Sequence, residues 1–533
     1  MTPFLQLRLW LRRAAVSERL TVAAVAALVL SLAVWAALPV GSSPGSTLSS
    51  SPSSPDGATP SSPTGQPAAA GTTGRVSPPG TTGGTTTGGL PATRGAGSAT
   101  TGGIGTTGGV TGGSPVPGRV PSPVTSSTCG PTGSSDQGVT TSTVRIDVTL
   151  ANLQGQAGNS LAGIPSAEVQ QQMFEAALAD LNKRGGVKCR KVVAKYYKVN
   201  PLDQSSLQQV CLDIVADKPF SLLDVGLSSP IGSTTPRNCP PKNKIPSFGS
   251  ASMGQSELST YGPYQFSYYP VAERTVHNAI KGLAQLGWFK DAKVVGLLEQ
   301  QCIPNLNTIA RRDLKALGFA DKKLSAFDFG CTNGIPSPSD TAAAVLQFQR
   351  AGVTHVFDDG GVYANFFSQQ AAKQGFRPKY GLGDQATIAL FSQPGLGPDA
   401  NNFAGGLVIT GTRYGEERTA GQKRSALTLR CDAAMRARGL PGSWESPNGF
   451  SGVACSQVAM FANAANSSPG LRRNELAGAL RALGKADLPY PAGPADFTTT
   501  GGQNGGGYWR PTVFVKDCRC FRLYRSTFTA DFR

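Results

Sequence analysis

The residue types that could do chemistry in this chain are sparse. Asp358-Asp359 sits beside Gly360-Gly361 and could form a carboxylate pair or a cation site. Adjacent residues leaving a strand point in different directions, so the reading preferred here is one ligand contact and one helix cap. Two histidines, His277 and His355, are the only imidazoles, and neither neighbours a candidate nucleophile. A Ser-His-Asp arrangement is therefore not expected. HExxH, Walker A and GxSxG motifs are missing. Ten cysteines include no CxxC pair, so disulfides in an oxidising compartment are expected rather than a zinc site, and no cofactor is expected. The reading is a binding protein, not an enzyme.

What remains is a set of small polar residues after short apolar runs. Ser221-Leu222-Leu223-Asp224-Val225-Gly226 breaks into Ser228-Ser229, and the run around residues 244–248 breaks into Ser250-Ala251-Ser252. Gln154 follows the first strand, and Tyr268-Tyr269 lie just beyond the second serine pair. Gln300-Gln301, Asp358 to Gly360, and Asp384 follow later apolar runs. In open α/β sheets, ligands bind outside the carboxyl ends of the strands. Helix N-termini opening after such loops favour an anionic group, and Asp358 or Asp384 opposite would suit an ammonium.

The elements that would position these residues alternate. Residues 144–150 and 191–197 read as strands, and residues 167–183 and 203–216 as helices. Further strands are expected at 293–298, 324–329, 353–357, 378–383 and 406–410. Helices are expected at 271–286, 305–317, 339–351, 363–374, 453–465 and 472–483, and residues 509–524 read as a closing hairpin. This is the grammar of parallel sheets flanked by helices, and it starts over once, which predicts an α/β protein of two Rossmann-like lobes joined by hinge strands. The N-lobe is expected at about 138–270 plus part of 411–500, and the C-lobe at about 271–410 plus the C-terminal strands, within a head of residues 138–533.

Two N-terminal segments precede that head. Residues 20–38 are uncharged and follow four arginines, which predicts a signal peptide or an N-terminal transmembrane anchor within residues 1–40, with the rest outside the cytoplasm. Anchoring is preferred, although Val34-Trp35-Ala36 could serve as a weak cleavage site. Residues 41–137 are almost wholly Gly, Ser, Thr, Pro and Ala and read as a disordered linker with a span on the order of 55 Å. Of the net charge of +17, the first 19 residues hold three and the linker one, leaving +13 on the head. The basic residues are scattered without a Lys/Arg run, so no nucleic-acid partner is expected.

The pattern resembles the type I periplasmic-binding-protein fold, specifically the branched-chain amino-acid (Leu/Ile/Val-binding-like) substrate-binding proteins of ABC transporters. The supporting stretches are residues 144–150 with Gln154-Gly155-Gln156, residues 180–186, Asp224 to Ser229, residues 293–298, residues 351–358 and residues 371–376. The resemblance implies an extracytoplasmic protein that captures a small polar ligand, such as an amino acid or amide, by hinge closure, with ABC permease subunits as partners. It also implies that Ser229 supplies a hydroxyl contact, that Ser250 and Ser252 lie in the carboxylate-holding loop, and that Asp384 lies near the ammonium-holding acid. Tyr268 and Tyr269 could supply stacking where the expected aromatic wall is missing. By the same fold logic Cys211–Cys239, Cys302–Cys331 and Cys431–Cys455 are expected to pair, with Cys129, Cys189, Cys518 and Cys520 unassigned. Rival readings are a ligand sensor signalling to a partner, an exported hydrolase built on Asp358, Asp359 and Asp384, and a cell-wall adhesion module.

Overall fold

The computed structural model describes Cys129 and residues 133–532, apart from residues 154, 162, 228–236, 250–251, 302, 304, 332–335, 360–362, 384–396, 414, 417–419 and 499–501. The N-terminal apolar run and most of the expected linker lie outside these residues; the last stretch of that linker does not, since Cys129 is bonded to Cys189 and the Arg473 amide donates to Asp136 at 2.7 Å, so the head begins a few residues before Gly138. Among the described residues no helix is long and apolar enough to cross a membrane.

Two sheets carry the fold. The first has five parallel strands in the order β2-β1-β3-β4-β5: β1 (Thr143–Ala151), β2 (Lys191–Val199), β3 (Ser221–Asp224), β4 (Ser247–Gly249) and β5 (Gln265–Ser267). Its central register sets Thr149 of β1 opposite Asp224 of β3. Strands buried on both faces of a parallel sheet need apolar residues at consecutive positions, and Leu222-Leu223 supplies them. Helix α1 (Ala167–Lys183) is started by Ser166, whose hydroxyl accepts from the Val169 amide at 3.3 Å. Helix α2 (Gln204–Asp217) is started by Asp203, which accepts from the Ser205 amide at 2.9 Å.

The second sheet begins with α3 (Ala272–Gln285) and β6 (Val295–Glu299), and continues through α4 (Leu306–Ala316), β7 (Leu324–Asp328), α5 (Pro338–Arg350), β8 (His355–Asp358), α6 (Tyr363–Lys373), β9 (Lys379–Leu382) and β10 (Leu407–Thr410). The chain then returns to the first sheet through α7 (Ala426–Arg436), α8 (Phe450–Ser467) and α9 (Leu476–Leu483). Their apolar faces share one core with β1, β3 and α1, in which Phe461 meets Phe220 and Phe248 edge-on. A small antiparallel pair follows, β11 (Lys485–Ala486) with β12 (Ala495–Asp496). The last crossing enters β13 (Tyr508–Val515), which pairs antiparallel with β10, β14 (Cys520–Leu523) and β15 (Thr529–Ala530). The second sheet therefore runs β14-β13-β10-β9-β8-β6-β7.

The sequence reading placed most long elements to within a few residues and missed the helix at Ala426–Arg436 and the strand at Gln265–Ser267. The expected strand at 244–248 begins later, at Ser247, because the backbone of Lys244 takes a positive φ of 56° at the end of a helical turn. Cys129–Cys189, Cys211–Cys239, Cys431–Cys455 and Cys518–Cys520 are bonded, and Cys331 is also in a disulfide. Its expected partner Cys302 lies outside the described residues.

Candidate functional site

The carboxyl edge of the first sheet is built by buried hydrogen bonds that the strands alone could not supply. Thr149 sits two residues before the end of β1. Its hydroxyl donates to Asp224 Oδ1 at 2.6 Å and accepts from the Val225 and Gly226 amides, each at 3.1 Å. Asp224 Oδ1 also accepts from the Leu227 amide at 2.9 Å, and Gln457 Nε2 of α8 donates to the Asp224 carbonyl at 2.7 Å. These bonds fix the course of the chain up to Leu227, directly before the Ser228-Ser229 pair. Ser228 and Ser229 themselves lie outside the described residues, as do Gln154, Ser250, Ala251, Gly360 and Asp384.

The end of β1 is held in the same manner. Gln170 of α1 and Asn159 both donate to the Ala151 carbonyl, at 2.8 and 2.9 Å, and both donate to the Pro165 carbonyl. Their side-chain oxygens accept from the Ala151 and Leu153 amides. The result is a rigid entry to the loop that carries position 154. Burying amides of this kind is favourable only because every donor and acceptor is matched.

In the second sheet, Glu299, Gln300 and Gln301 close β6. Glu299 is buried and held bidentately by Arg311, with both N–O distances 2.6 Å. Gln300 is buried, whereas Gln301 is exposed and its side-chain amide donates to Asp328 at the end of β7. Asp358 ends β8 and caps α6, accepting from the Ala364 amide at 2.8 Å. Asp359 differs from its neighbour. It is 1% exposed, and among the described residues neither carboxyl oxygen has a hydrogen-bond partner. Burial first, then the charges of Asp358, Glu299 and Asp328, hold its pKa well above the ordinary carboxyl value.

The two carboxyl edges belong to one place in the molecule. Ile303, just past β6, comes so near Gly254, just past β4, that a Cβ on the glycine would lie 3.3 Å from Ile303 Cγ2. The Gln255 amide, at the start of the helical turn Gln255–Tyr261, donates to the Glu273 carboxylate of α3 at 2.9 Å. Ser252 turns its hydroxyl to the Pro270 carbonyl at 2.8 Å, in the segment that crosses between the sheets. Tyr268 and Tyr269 lie in that segment too. Both are buried, their rings stack at 5.3 Å, and Tyr490 packs edge-on against them at 5.7 and 6.1 Å. They form part of the core of the first sheet at the crossing.

Three segments make that crossing: residues 268–271, 411–413 and 505–507. Ser267 is hydrogen-bonded to the chain entering this last segment at two points, donating to the Gln503 carbonyl at 2.9 Å and accepting from the Gly505 amide at 2.8 Å. Gly411 accepts from Ala492, and Arg413 donates to Tyr490, each at 2.7 Å. Gly506 is required by close approach, since a Cβ there would lie 2.0 Å from the Pro270 nitrogen. Two α/β lobes with adjacent carboxyl edges, joined by three crossing strands, define the architecture. The fold is that of the type I periplasmic binding proteins.

Solved structures with this architecture include a solute-binding protein of an ABC transporter from Rhodopseudomonas palustris in complex with p-hydroxybenzoic acid. It is 13% identical, with a TM-score of 0.54, over 73% of this chain and 98% of that one. An extracellular ligand-binding receptor from Verminephrobacter eiseniae is 16% identical with a TM-score of 0.51, over 72% and 100%. A possible leucine/isoleucine/valine-binding protein from Rhodopirellula baltica is 15% identical with a TM-score of 0.51, over 74% and 98%. No family model matches the sequence, and no curated protein matches it.

The sequence reading missed Thr149, Asn159, Gln170 and Gln457, which hold the strand ends leading into the candidate loops. A polar residue near the end of a strand that is otherwise buried was the available signal for Thr149. The run Gly501-Gly502-Gln503-Asn504-Gly505-Gly506-Gly507 was the signal for the third crossing segment.

Proposed function

We propose that the chain is an extracytoplasmic solute-binding protein that captures a small polar ligand between its lobes and delivers it to an ABC permease. The observation that carries this reading is the pair of carboxyl edges brought to one place by three crossing strands, with a buried carboxyl, Asp359, left without a partner among the described residues. Closure of lobes about such strands needs no covalent chemistry. Solved proteins of this fold that carry p-hydroxybenzoic acid, or that are described as possible leucine/isoleucine/valine-binding proteins, support the transport role.

Asp359 is the group assigned to the donor end of the ligand, an ammonium or an amide N–H. A buried carboxyl with a raised pKa gives up its proton when an ammonium arrives, so binding of an amino acid would release a proton. An amide would leave the proton in place. The loops after β3 and β4, with Ser229, Ser250 and Ser252, are assigned to the opposite end. The N-terminal apolar run is assigned to membrane attachment or export, which places the head outside the cytoplasm.

Thermal-shift screening of the full chain against amino acids, amides and small aromatic carboxylates tests the reading. A stabilising metabolite that also lowers the radius of gyration in X-ray scattering is expected. If no member of a broad panel raises the midpoint, the solute-binding role is lost. Calorimetry in two buffers of different ionisation enthalpy then separates ammonium from amide ligands.

A further inference from the structure

The disulfides of this head differ in what they tie together. Cys129–Cys189, Cys211–Cys239 and Cys431–Cys455 span 60, 28 and 24 residues. Cys518–Cys520 spans two. A cross-link stabilises a fold mainly by restricting the unfolded chain, with a gain that grows as the logarithm of the loop it closes. A ring holding only Arg519 restricts almost nothing. The turn it occupies is already closed by the register of β13 on β14, where Val515 faces Cys520 and Phe514 faces Phe521. The pair is therefore dispensable as a staple.

Its setting favours reaction instead. Cys518 and Arg519 are exposed at the tip of the hairpin, and Cys520 is half-buried. By contrast, Cys431 and Cys455 are both buried. Arg519, the single residue inside the ring, sits at the hairpin tip with φ 48°. Lys516, Arg519 and Arg522, all exposed, lie within two residues of one or other cysteine in the chain, against a single acid there, Asp517. Positive charge stabilises the thiolates of the open form. Exposed disulfides are the exchangeable ones.

We propose that Cys518–Cys520 is a thiol-exchange site that accepts two electrons from an external dithiol. One donor thiolate attacks a sulfur of the pair, the S–S bond breaks, and a mixed disulfide joins the donor to the protein. The donor's second thiolate then attacks its own sulfur in that mixed disulfide and displaces the protein thiolate. The donor departs as a disulfide, and Cys518 and Cys520 are left as thiols, having taken up two electrons and two protons.

The test is an equilibrium titration of the full chain with dithiothreitol, approached from both oxidised and reduced sides. Free thiols are trapped by alkylation and assigned by peptide mass spectrometry. Half-reduction of Cys518 and Cys520 is expected at roughly one-tenth or less of the dithiothreitol that half-reduces Cys211–Cys239 or Cys431–Cys455. The double variant Cys518→Ser with Cys520→Ser is expected to keep the wild-type thermal midpoint. Reduction of the pair together with or after the other bridges would overturn the proposal. So would a variant whose midpoint falls by more than a few degrees, because the bridge would then be structural.

Discussion

Asp147 gives the sharpest quantitative prediction. It lies at mid-strand in β1, in register with Lys195 on β2 and Leu222 on β3, and is wholly buried. Neither of its carboxyl oxygens has a hydrogen-bond partner among the described residues. Burial, and after it the charge of Asp217, push its pKa from 3.8 to about 7, against the opposing pull of Arg145 and Lys195. Asp217 is itself held below the usual carboxylate range, despite its partial burial, by Lys195 and Tyr197, so its negative charge persists through this range. A raised folded pKa means that the folded chain binds the proton more tightly than the unfolded chain. Below about pH 4 both states hold it and nothing is lost. Between about pH 4 and pH 7 the unfolded chain releases it first, so stability falls, and the loss is complete above pH 7. At about 1.4 kcal/mol per pKa unit, the full loss is on the order of 4 kcal/mol. Asp147→Asn removes the titration while adding a pH-independent cost for a buried amide. The readout is therefore the difference of differences. Urea unfolding of variant and wild type at pH 5 and pH 8 should show the variant gaining about 2.5 kcal/mol on the wild type between the two. A gap that does not move with pH would refute the assignment of a buried, unpaired carboxyl.

Three further perturbations follow from the site. Thr149→Val deprives two buried amides and Asp224 of their shared hydroxyl, and urea curves should show a loss of about 2–4 kcal/mol; a loss near zero would mean the strand end is anchored otherwise. Gly506→Ala forces the crossing strands apart and should cost about 1–3 kcal/mol, with a changed radius of gyration in the ligand-free state by X-ray scattering. Asp359→Asn should leave stability at pH 7 unchanged or higher, because the carboxyl makes no ion pair among the described residues, while affinity for an ammonium-bearing ligand falls at least tenfold, about 1.4 kcal/mol, by calorimetry.

The periodicity of the sequence carried most of the fold because parallel strands and their helices use different spacings. The run 167–183 has helical spacing, and the helix Ala167–Lys183 occupies those residues. The missed helix Ala426–Arg436 is interrupted by Arg430 and Asp432, which read as surface residues. In the fold Asp432 is buried, where it accepts from the Ser443 amide and hydroxyl at 2.6 and 2.7 Å and pairs with Arg424. Its partners come from outside its own helix, so no local pattern could announce it. The strand Gln265–Ser267 is three residues long and polar at both ends, too short to show a period. The same limit applies to the site. Serines after strands are visible in a sequence, but the Thr149–Asp224 bond joins residues 75 positions apart. Likewise, Tyr268-Tyr269 reads as a stacking pair for a ligand, but the two rings stack on each other and Tyr490, which meets them edge-on, comes from the far side of two crossings.

The crossing segments also constrain how closure could proceed. Residues 411–413 are fastened at both ends to different lobes. On one side Arg510, buried in β13, donates to the Thr412 carbonyl at 2.9 Å and pairs with Glu416 at 3.2 Å. On the other, the Arg413 guanidinium donates to the Pro491 and Ala492 carbonyls at 2.7 and 2.8 Å. Tyr490, beside Pro491, is part of the core of the first lobe, so that arginine belongs mechanically to the first sheet although the chain has only just left the second. A buried ion pair broken on one side leaves an uncompensated charge at a cost of several kcal/mol, far more than a hinge can spend on each cycle. Rotation of the lobes must therefore keep both arginines seated and place the torsional change between them, at Gly411 to Arg413 and at the equivalent positions near Pro270 and Gly506. Pro270 has a fixed φ, so the first crossing segment offers fewer torsions than the other two. On the proposed solute-binding reading, a ligand drawn between the loops after β3, β4, β6 and β8 has to act through a rotation that leaves those arginines seated.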